Sequence, residues 1–116
     1  MGAGRKQILN FLDRFKRRAN QEGIHLQDRK KNLDSLAKLG LSIEDAEEIM
    51  LALTEDEYVS GPENDADGSE GEVWVFGASI EGCILYIKLK LDKIRSKCIS
   101  FHKAERSLDF PLRKGE

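Results

Sequence analysis

The side chains that could do chemistry lie close together in the sequence, between positions 82 and 105. Within this stretch Tyr86, Lys88 and Lys90 alternate with apolar residues. Alternation of this kind predicts a β-strand with one face in a core and the other in water. A second apolar run follows a polar turn and leads into His102. We therefore expect a phenol, two ammonium groups and an imidazole on one solvated face of a sheet.

Antiparallel pairing of these two strands would bring the polar side chains together. With residues whose numbers sum to 188 facing each other, the predicted pairs are Tyr86 with His102, Lys88 with Ser100, and Lys90 with Cys98. Facing side chains lie about 5 Å apart at Cβ. The other face would carry the apolar residues into the core: Leu85, Ile87, Leu89, Leu91, Ile99 and Phe101. A shift of one residue would bury the charges, so the register is constrained.

Such a face suits the cleavage of RNA without a metal ion. Attack by a 2′-hydroxyl on the adjacent phosphorus needs a proton-transfer group, and His102 fits because imidazole titrates near neutral pH. Lys88 would stabilise the negative charge of the phosphorane. Tyr86 would donate a hydrogen bond to a phosphate oxygen or stack on a base. Further contacts to RNA are expected from Lys90, Lys97, Ser100 and Arg106.

Each of these residues also has an ordinary structural explanation. Lysines on a strand often protect an exposed edge from aggregation. Tyr86 could pack across the sheet, and His102 could cap the end of its strand. Taken singly, the residues favour these structural roles, and it is their combination on one face that makes catalysis a hypothesis.

Helical patterns occupy the first half of the chain. Apolar residues recur at helical spacing over residues 6–20. Asp28 is expected to cap a second helix that ends at Leu39, with Gly40 as its left-handed C-cap. Ser42 opens a third helix in a pattern close to a capping box. Helices followed by strands with short turns predict an α+β fold, with about three helices packed on a twisted antiparallel sheet.

The remaining segments complete this single predicted domain, residues 1–116. Residues 61–71 are rich in Gly, Pro, Asn and Asp, which predicts an acidic flexible loop. Residues 73–78 are expected to form a strand buried on both faces. Phe110 and its neighbours Pro111 and Leu112 are expected to pack as a clip over the sheet.

Composition narrows the class of protein. Residues 55–72 hold eight acidic residues and no Lys or Arg, so the net charge of −2 hides a basic remainder that is compatible with RNA. No apolar run approaches the ~20 residues that span a bilayer. The N-terminus is too polar for a signal peptide. We therefore expect a cytoplasmic protein with no membrane partner.

Cysteine and histidine usage points away from a metal site. Spacing alone leaves a disulfide between Cys83 and Cys98 open, but reduced thiols are expected in a cytosolic chain. A zinc site would need more ligands at closer spacing, and neither a CxxC nor an HxxxH pair occurs. No metal and no cofactor are expected.

Four stretches together resemble the MqsR family of bacterial type II toxins, the motility quorum-sensing regulator toxins. They are AKLGLSIEDAEEIMLALTEDEYVSGP at 37–62, EVWVFG at 72–77, GCILYIKLKL at 82–91 and CISFHKAE at 98–105. The resemblance implies a RelE-like fold and an mRNA interferase that cuts RNA without a metal. It also implies a cognate antitoxin, encoded in the same operon, that binds and neutralises the toxin.

By position, the resemblance carries over site roles to two residues and leaves two others unmatched. Tyr86 matches the family's strand tyrosine, and His102 matches a basic residue that follows Ser-Phe. Two further polar residues implicated in the family fall at Val59 and Val75, which neither transfer protons nor bind phosphate. These departures leave open a non-catalytic protein- or RNA-binding module that retains antitoxin binding. A nuclease that needs the ribosome is a further alternative.

Overall fold

Three helices occupy the first half of the chain in the computed structural model, which describes residues 2–113. They are α1, Arg5–Glu22; α2, Lys30–Leu39; and α3, Ile43–Leu51. All three were predicted, and each buries one face. Over the described residues, no helix has the length and apolar character needed to cross a membrane.

Short sequence signals set the ends of these helices. Gly40 ends α2 with φ 69°, in the left-handed region that glycine adopts without strain. Ser42 and Asp45 form a capping box at the start of α3, each side chain accepting a hydrogen bond from the other residue's backbone N–H. The prediction of Asp28 as the cap of α2 is wrong. Arg29 occupies that position, and no side chain caps the helix there.

A five-stranded sheet completes the fold. Its strands are β1, Ile24–Leu26; β2, Tyr58–Glu63; β3, Glu72–Ile80; β4, Cys83–Leu91; and β5, Ser96–Lys103, in the spatial order β1-β5-β4-β3-β2. The predicted α+β class is confirmed. The sheet is mixed rather than wholly antiparallel, because β1 pairs with β5 in parallel. These two strands are far apart in the sequence, so no hairpin constrains their relative direction.

The sequence does not predict β2 as a strand. Strand β2 includes Gly61 and Pro62, which composition assigned to the acidic loop. Its pairing with β3 has two irregularities in the register. Its side-chain anchor is Tyr58, which is fully buried and donates a hydrogen bond to the carbonyl of Gly61 at 2.7 Å. The loop between β2 and β3 is therefore shorter than expected, spanning residues 64–71.

The hydrophobic core lies between α1 and one side of the sheet. The ring of Phe11 on α1 stacks on Trp74 of β3, with 4.7 Å between centroids. The predicted core residues of β4 are all buried: Leu85, Ile87, Leu89 and Leu91. β3 is buried on both faces, as predicted, because Val73 and Val75 are covered on the side away from α1.

The predicted register of β4 against β5 is confirmed over half of the hairpin. Tyr86 faces His102, and Lys88 faces Ser100. Facing residues of an antiparallel pair share one side of the sheet. These four side chains therefore lie on the side that faces away from the core.

A β-bulge at Ile99 changes the register beyond these pairs. Because β5 carries one extra residue here, Cys98 does not face Lys90 as predicted and is fully buried in the core. Ile99 itself is only partly buried, so its expected place in the core is wrong. The bulge lets Cys98 and Phe101, three positions apart, both enter the core. His102, whose pair with Tyr86 lies outside the bulge, remains on the opposite side of the sheet.

The segment after β5 returns over the sheet. Phe110 and Leu108 lie against Gly77 of β3, where an added Cβ would come within 2.9 Å of the Phe110 ring. The predicted clip over the sheet is thus confirmed for Phe110. Leu112 packs against the edge of the core.

Candidate active site

The side of the sheet that faces away from α1, which we call the open face, carries most of the polar residues singled out in the sequence. It is formed by Val73, Val75, Tyr86, Lys88, Lys90, Ser100 and His102. Residues 55–72, which we call the acidic segment, contact one end of this face through ion pairs from Glu63 to Lys88 and from Asp65 to Lys90. The segment after β5 covers the other end, at Gly77.

Tyr86 and His102 lie side by side on the open face. Their rings stack with centroids 5.4 Å apart and an angle of 21° between the planes. Both side chains are partly exposed. The imidazole does not point into the apolar interior, so the predicted juxtaposition of the two rings is confirmed.

One hydrogen bond orients the imidazole of His102. Its Nδ1 lies 3.0 Å from the backbone carbonyl oxygen of Lys103. A carbonyl oxygen only accepts hydrogen bonds, so Nδ1 carries a proton in this contact. In the neutral ring Nε2 is then the unprotonated nitrogen, and it can accept a proton from a substrate.

Lys88 and Ser100 form the next pair along the open face. The side chain of Lys88 is 27% exposed, and its Nζ lies 3.7 Å from Oε1 of Glu63. An ion pair this long and this close to solvent is weak, so the ammonium can exchange the carboxylate for a phosphate. Ser100 is buried, and its hydroxyl accepts a hydrogen bond from Nη1 of Arg29 at 3.2 Å. Ser100 therefore supports the face from within.

Lys90, expected among the RNA-binding residues, is buried. Its side chain is 3% exposed, and its Nζ donates hydrogen bonds to Oδ2 of Asp65 at 2.8 Å and to the hydroxyl of Ser69. The hydrogen bond from Lys90 is the main cause that lowers the pKa of Asp65 to about 2. The expectation of a solvent-facing ammonium at position 90 is wrong, because the acidic loop covers it.

The other two predicted RNA contacts, Lys97 and Arg106, occupy different surroundings. Lys97 is about one-third exposed, and its Nζ lies 3.5 Å from Oδ2 of Asp92 in the β4–β5 turn. Arg106 is exposed in the segment after β5, where it lines a cleft with Tyr86 and His102. Of the two, the structure brings only Arg106 to the paired rings.

Two clefts meet at His102. The first has a volume of about 510 Å³ and is lined by Lys31, Val59, Tyr86, His102 and residues 105–109. The second has a volume of about 580 Å³ and is lined by Lys30, Lys31, Asp34, Ser35, Lys38 and residues 102–105. Both volumes fall in the range of small-ligand sites. A polynucleotide that passes His102 would therefore have two adjoining clefts within reach.

Sequence reasoning missed Lys31 and Glu105, which line both clefts. Nζ of Lys31 lies 2.5 Å from Oε2 of Glu105. This hydrogen bond is the main cause that lowers the pKa of Glu105, and the nearby charges of His102 and Arg106 add to it. The local pattern of α2 would not single out Lys31, because its spacing fits a solvated helix face. Only the packing of α2 on β5 brings it to His102.

A third groove follows α1 and is rich in arginine. It has a volume of about 480 Å³ and is lined in part by Arg14, Arg17 and Arg18. Two of these arginines already have partners in the protein: Nη1 of Arg14 donates to Oε2 of Glu72 at 2.7 Å, and Nη1 of Arg18 donates to the carbonyl of Asp92 at 2.6 Å. The lining holds no imidazole or thiol that could transfer a proton near neutral pH. We therefore place the candidate active site at the open face.

Val59 and Val75 occupy the positions where the family resemblance implies polar site residues, and they lie beside the paired rings and Lys88. Val59 lines the first cleft with Tyr86 and His102. Val75 is buried and faces Lys88 across the β3–β4 pairing. Both offer only apolar surface to the site.

The model of one protein family matches most of the chain. It is described as "Motility quorum-sensing regulator, toxin of MqsA", and the match covers residues 9–103. The chain belongs to the MqsR toxin family. It is therefore the toxin of a toxin–antitoxin system, and the resemblance seen in the sequence is confirmed. Searches of curated proteins and of solved structures returned no significant match.

Tyr86, Lys88, Ser100 and His102 of this MqsR-family toxin all lie inside the matched stretch. The segment 104–113, which covers Gly77, follows that stretch. Across residues 2–113, no three His, Cys, Asp or Glu side chains converge in a group that could hold a metal ion. Cys83 and Cys98 are both free thiols, and burial raises the pKa of the Cys98 thiol.

Proposed function

We propose that this MqsR-family toxin is a metal-independent endoribonuclease, an mRNA interferase that cuts mRNA at the open face. One observation carries the proposal: the stacked pair of Tyr86 and His102, with Lys88 one pair further along. A proton acceptor, a hydrogen-bond donor and a cation are thus close enough together to act on one phosphodiester.

The chemistry follows from the orientation of these groups. Nε2 of His102 takes the proton of the 2′-hydroxyl while its oxygen attacks the adjacent phosphorus. Lys88 stabilises the charge that builds up on the phosphorane, and Tyr86 donates a hydrogen bond to a phosphate oxygen. The P–O5′ bond then breaks, and the leaving oxygen takes a proton from water. The products are a 2′,3′-cyclic phosphate and a 5′-hydroxyl.

The two clefts supply a path for the rest of the RNA. The second cleft carries an excess of cations over carboxylates: Lys30, Lys31, Lys38 and Lys103 against Asp34 and Glu105. Such cations bind phosphates without reading sequence. Arg106 has the same role in the first cleft. The predicted contacts Lys90, Lys97 and Ser100 would act by supporting the open face.

The proposal includes a partner and a compartment. A cognate antitoxin, encoded in the same operon, would bind this toxin and block RNA cleavage in the cytoplasm. Expression of the chain alone should stop growth of a bacterial host, and co-expression of the neighbouring reading frame should restore it. Growth arrest that no neighbouring reading frame relieves would contradict this part of the proposal.

The decisive experiment compares the two histidines of the chain. Purified protein is incubated with a defined RNA in the presence of a chelator, with and without translating ribosomes. His102→Ala should lower the cleavage rate by about 10²–10⁴-fold, the usual range for loss of a proton-transfer group. His25→Ala is the matched control, because His25 is exposed on β1 and outside both clefts. Equal cleavage by wild type and His102→Ala would contradict the proposal.

A second candidate is a non-catalytic module that keeps antitoxin binding. It is favoured by Val59 in the first cleft and Val75 opposite Lys88, where the family resemblance calls for polar groups. It predicts no cleavage by the unmodified protein under any of these conditions, and antitoxin affinity that His102→Ala leaves unchanged. The endoribonuclease predicts cleavage products that end in a cyclic phosphate.

A further inference from the structure

The segment after β5 is held by contacts to β4 and to α2, and by one contact within the segment itself. The backbone N–H of Ala104 donates to the carbonyl of Ile84 at 2.8 Å. Glu105 is bound by Lys31. Further along, the guanidinium of Arg113 lies 4.0 Å above the centre of the Phe110 ring. Residues 104–113 therefore form an ordered cover over part of the sheet.

A glycine makes room for this cover. Gly77 lies between Phe76 and Ala78 in β3 and pairs with Tyr86, which in turn pairs with His102. The row across three strands is thus a glycine, the tyrosine and the histidine. Where a side chain at position 77 would stand, the ring of Phe110 and the Cδ1 of Leu108 are present instead, 2.9 and 3.0 Å from an ideal Cβ. The cover therefore sits directly beside the tyrosine of the proposed site.

The same segment forms one wall of the first cleft. Its residues 105–109 line that cleft together with Tyr86, His102 and Val59. The phenol ring, Val59 and Leu108 offer apolar surface on which a nucleobase can stack. Arg106, Ser107 and Asp109 offer hydrogen-bond donors and acceptors of the kind that read the edges of an unpaired base.

We propose that residues 105–109 bind the base of one nucleotide next to the scissile phosphate and determine which base is accepted there. The inference rests on the proposed endoribonuclease activity and adds to it a specificity element outside the family match, which ends at residue 103. The ligand class is single-stranded RNA, read at one base position by stacking and edge hydrogen bonds.

Gly77 provides a sharp test of this wall. The backbone at Gly77 is not in the left-handed region, so alanine fits the strand itself. Gly77→Ala should nevertheless push Phe110 and Leu108 away and distort the wall. Phe110→Ala removes the same anchor without changing β3. Both variants are compared with Ser79→Ala, a substitution at an exposed position two residues further along the same strand.

The measurement is the sequence of cleavage sites in an RNA pool with randomised positions. Wild type and Ser79→Ala should show a base preference at one position beside the cut. Gly77→Ala and Phe110→Ala should both reduce that preference at least about fivefold. Asp109→Asn, an exposed substitution with little risk to folding, should change the preferred base because it replaces an acceptor by a donor.

The outcomes separate the inference from the proposed function. If wild type cuts none of the pool, the endoribonuclease proposal is wrong, and the inference that residues 105–109 select a base is wrong with it. If wild type cuts with a base preference that all three wall variants retain, the inference alone is overturned. Faster cleavage by the Gly77 and Phe110 variants at every sequence alike would also overturn it, because the segment would then be a shield. Circular dichroism confirms that each variant is folded.

Discussion

Position 90 shows how burial changes the role of a strand lysine. Lys90 occupies the same face as Tyr86 and Lys88, yet its ammonium is enclosed by Asp65 and Ser69. A buried ammonium is costly unless it is paired and hydrogen-bonded. Both conditions are met here, so Lys90 acts as an anchor that joins the acidic loop to the sheet.

Removing the carboxylate partner should destabilise the protein. Asp65→Asn leaves the buried charge of Lys90 without its counter-ion, and we expect the free energy of unfolding to fall by about 2 kcal/mol. Urea denaturation at neutral pH measures this change. Glu70→Gln is the matched control in the same loop, because its ion pair with Lys93 is largely exposed and should contribute less than about 1 kcal/mol. Equal effects of the two substitutions would contradict the anchor role.

The same pair makes a pH-dependent contribution to stability. The pKa of Asp65 is about 2 in the folded protein, lower than its ordinary value of 3.8. A lowered carboxyl pKa stabilises the fold fully above the unfolded value, and the contribution is lost as the pH falls through the folded value. Wild type should therefore lose stability relative to Asp65→Asn between about pH 4 and pH 2. A constant difference between the two across that window would rule out the linkage.

At the scale of elements, Asn32 of α2 explains how the bulge in β5 is held. Asn32 is fully buried. Its side-chain amide donates to the carbonyls of Gln27 and Ile99, and its oxygen accepts from the N–H of Phe101, each at 3.0 Å. β1 covers only the first part of the β5 edge, so α2 satisfies the backbone groups that the short strand leaves open.

Asn32→Ala should weaken both stability and the site. Three backbone groups lose a partner, among them the buried N–H of Phe101, and we expect the free energy of unfolding to fall by about 1–3 kcal/mol. Asn20→Ala, at an exposed position of α1, should change it by less than about 0.5 kcal/mol. Because Asn32 holds the backbone N–H of Phe101, the residue before His102, RNA cleavage by Asn32→Ala should also fall under conditions where it is folded. Full stability and full cleavage in this variant would show that the bulge does not depend on Asn32.

At the scale of the whole molecule, the acidic segment neutralises cations on several elements. Glu55 pairs with Arg5, Glu72 with Arg14, and Glu63 with Lys88. The sequence treats residues 55–72 as a charged stretch apart from the basic remainder. In the structure it folds back onto that remainder, and one of its carboxylates lies next to a lysine of the proposed site. The net charge of −2 therefore understates how basic the site can be for an RNA that displaces Glu63.

Glu63→Gln should strengthen RNA binding. Loss of the competing carboxylate frees Lys88, and we expect the affinity for a short RNA to rise about two- to threefold at low salt, with less gain at high salt. Fluorescence anisotropy in a His102→Ala background measures binding without cleavage. Glu48→Gln, which removes an equal charge at an exposed position of α3, controls for net charge. A similar gain from both substitutions would mean that Glu63 acts only through overall charge.

Only part of the open face could be predicted from the sequence. Strict alternation in β4 and the short polar turn were enough to predict that Tyr86 faces His102 and Lys88 faces Ser100. The extra residue at Ile99 could not be predicted, because a bulge leaves no pattern in the apolar run that contains it. The same holds for the burial of Lys90, which depends on a loop that composition describes only as polar.

By itself, the sequence determined the three helices, their Gly40 and Ser42 end signals, the α+β class, the toxin family and the pairing of the two aromatic rings. These features depend on neighbours a few residues apart, or on a hairpin with a short turn. Only the tertiary structure decided the parallel pairing of β1, the anchoring of Lys90, the position of Lys31 beside His102, and the contact of the predicted clip with Gly77. Their partners lie far away along the chain, with sequence separations of 25 for Asp65 and Lys90 and 74 for Lys31 and Glu105. Contacts at such separations arise from the packing of whole elements, which no local pattern of residues encodes.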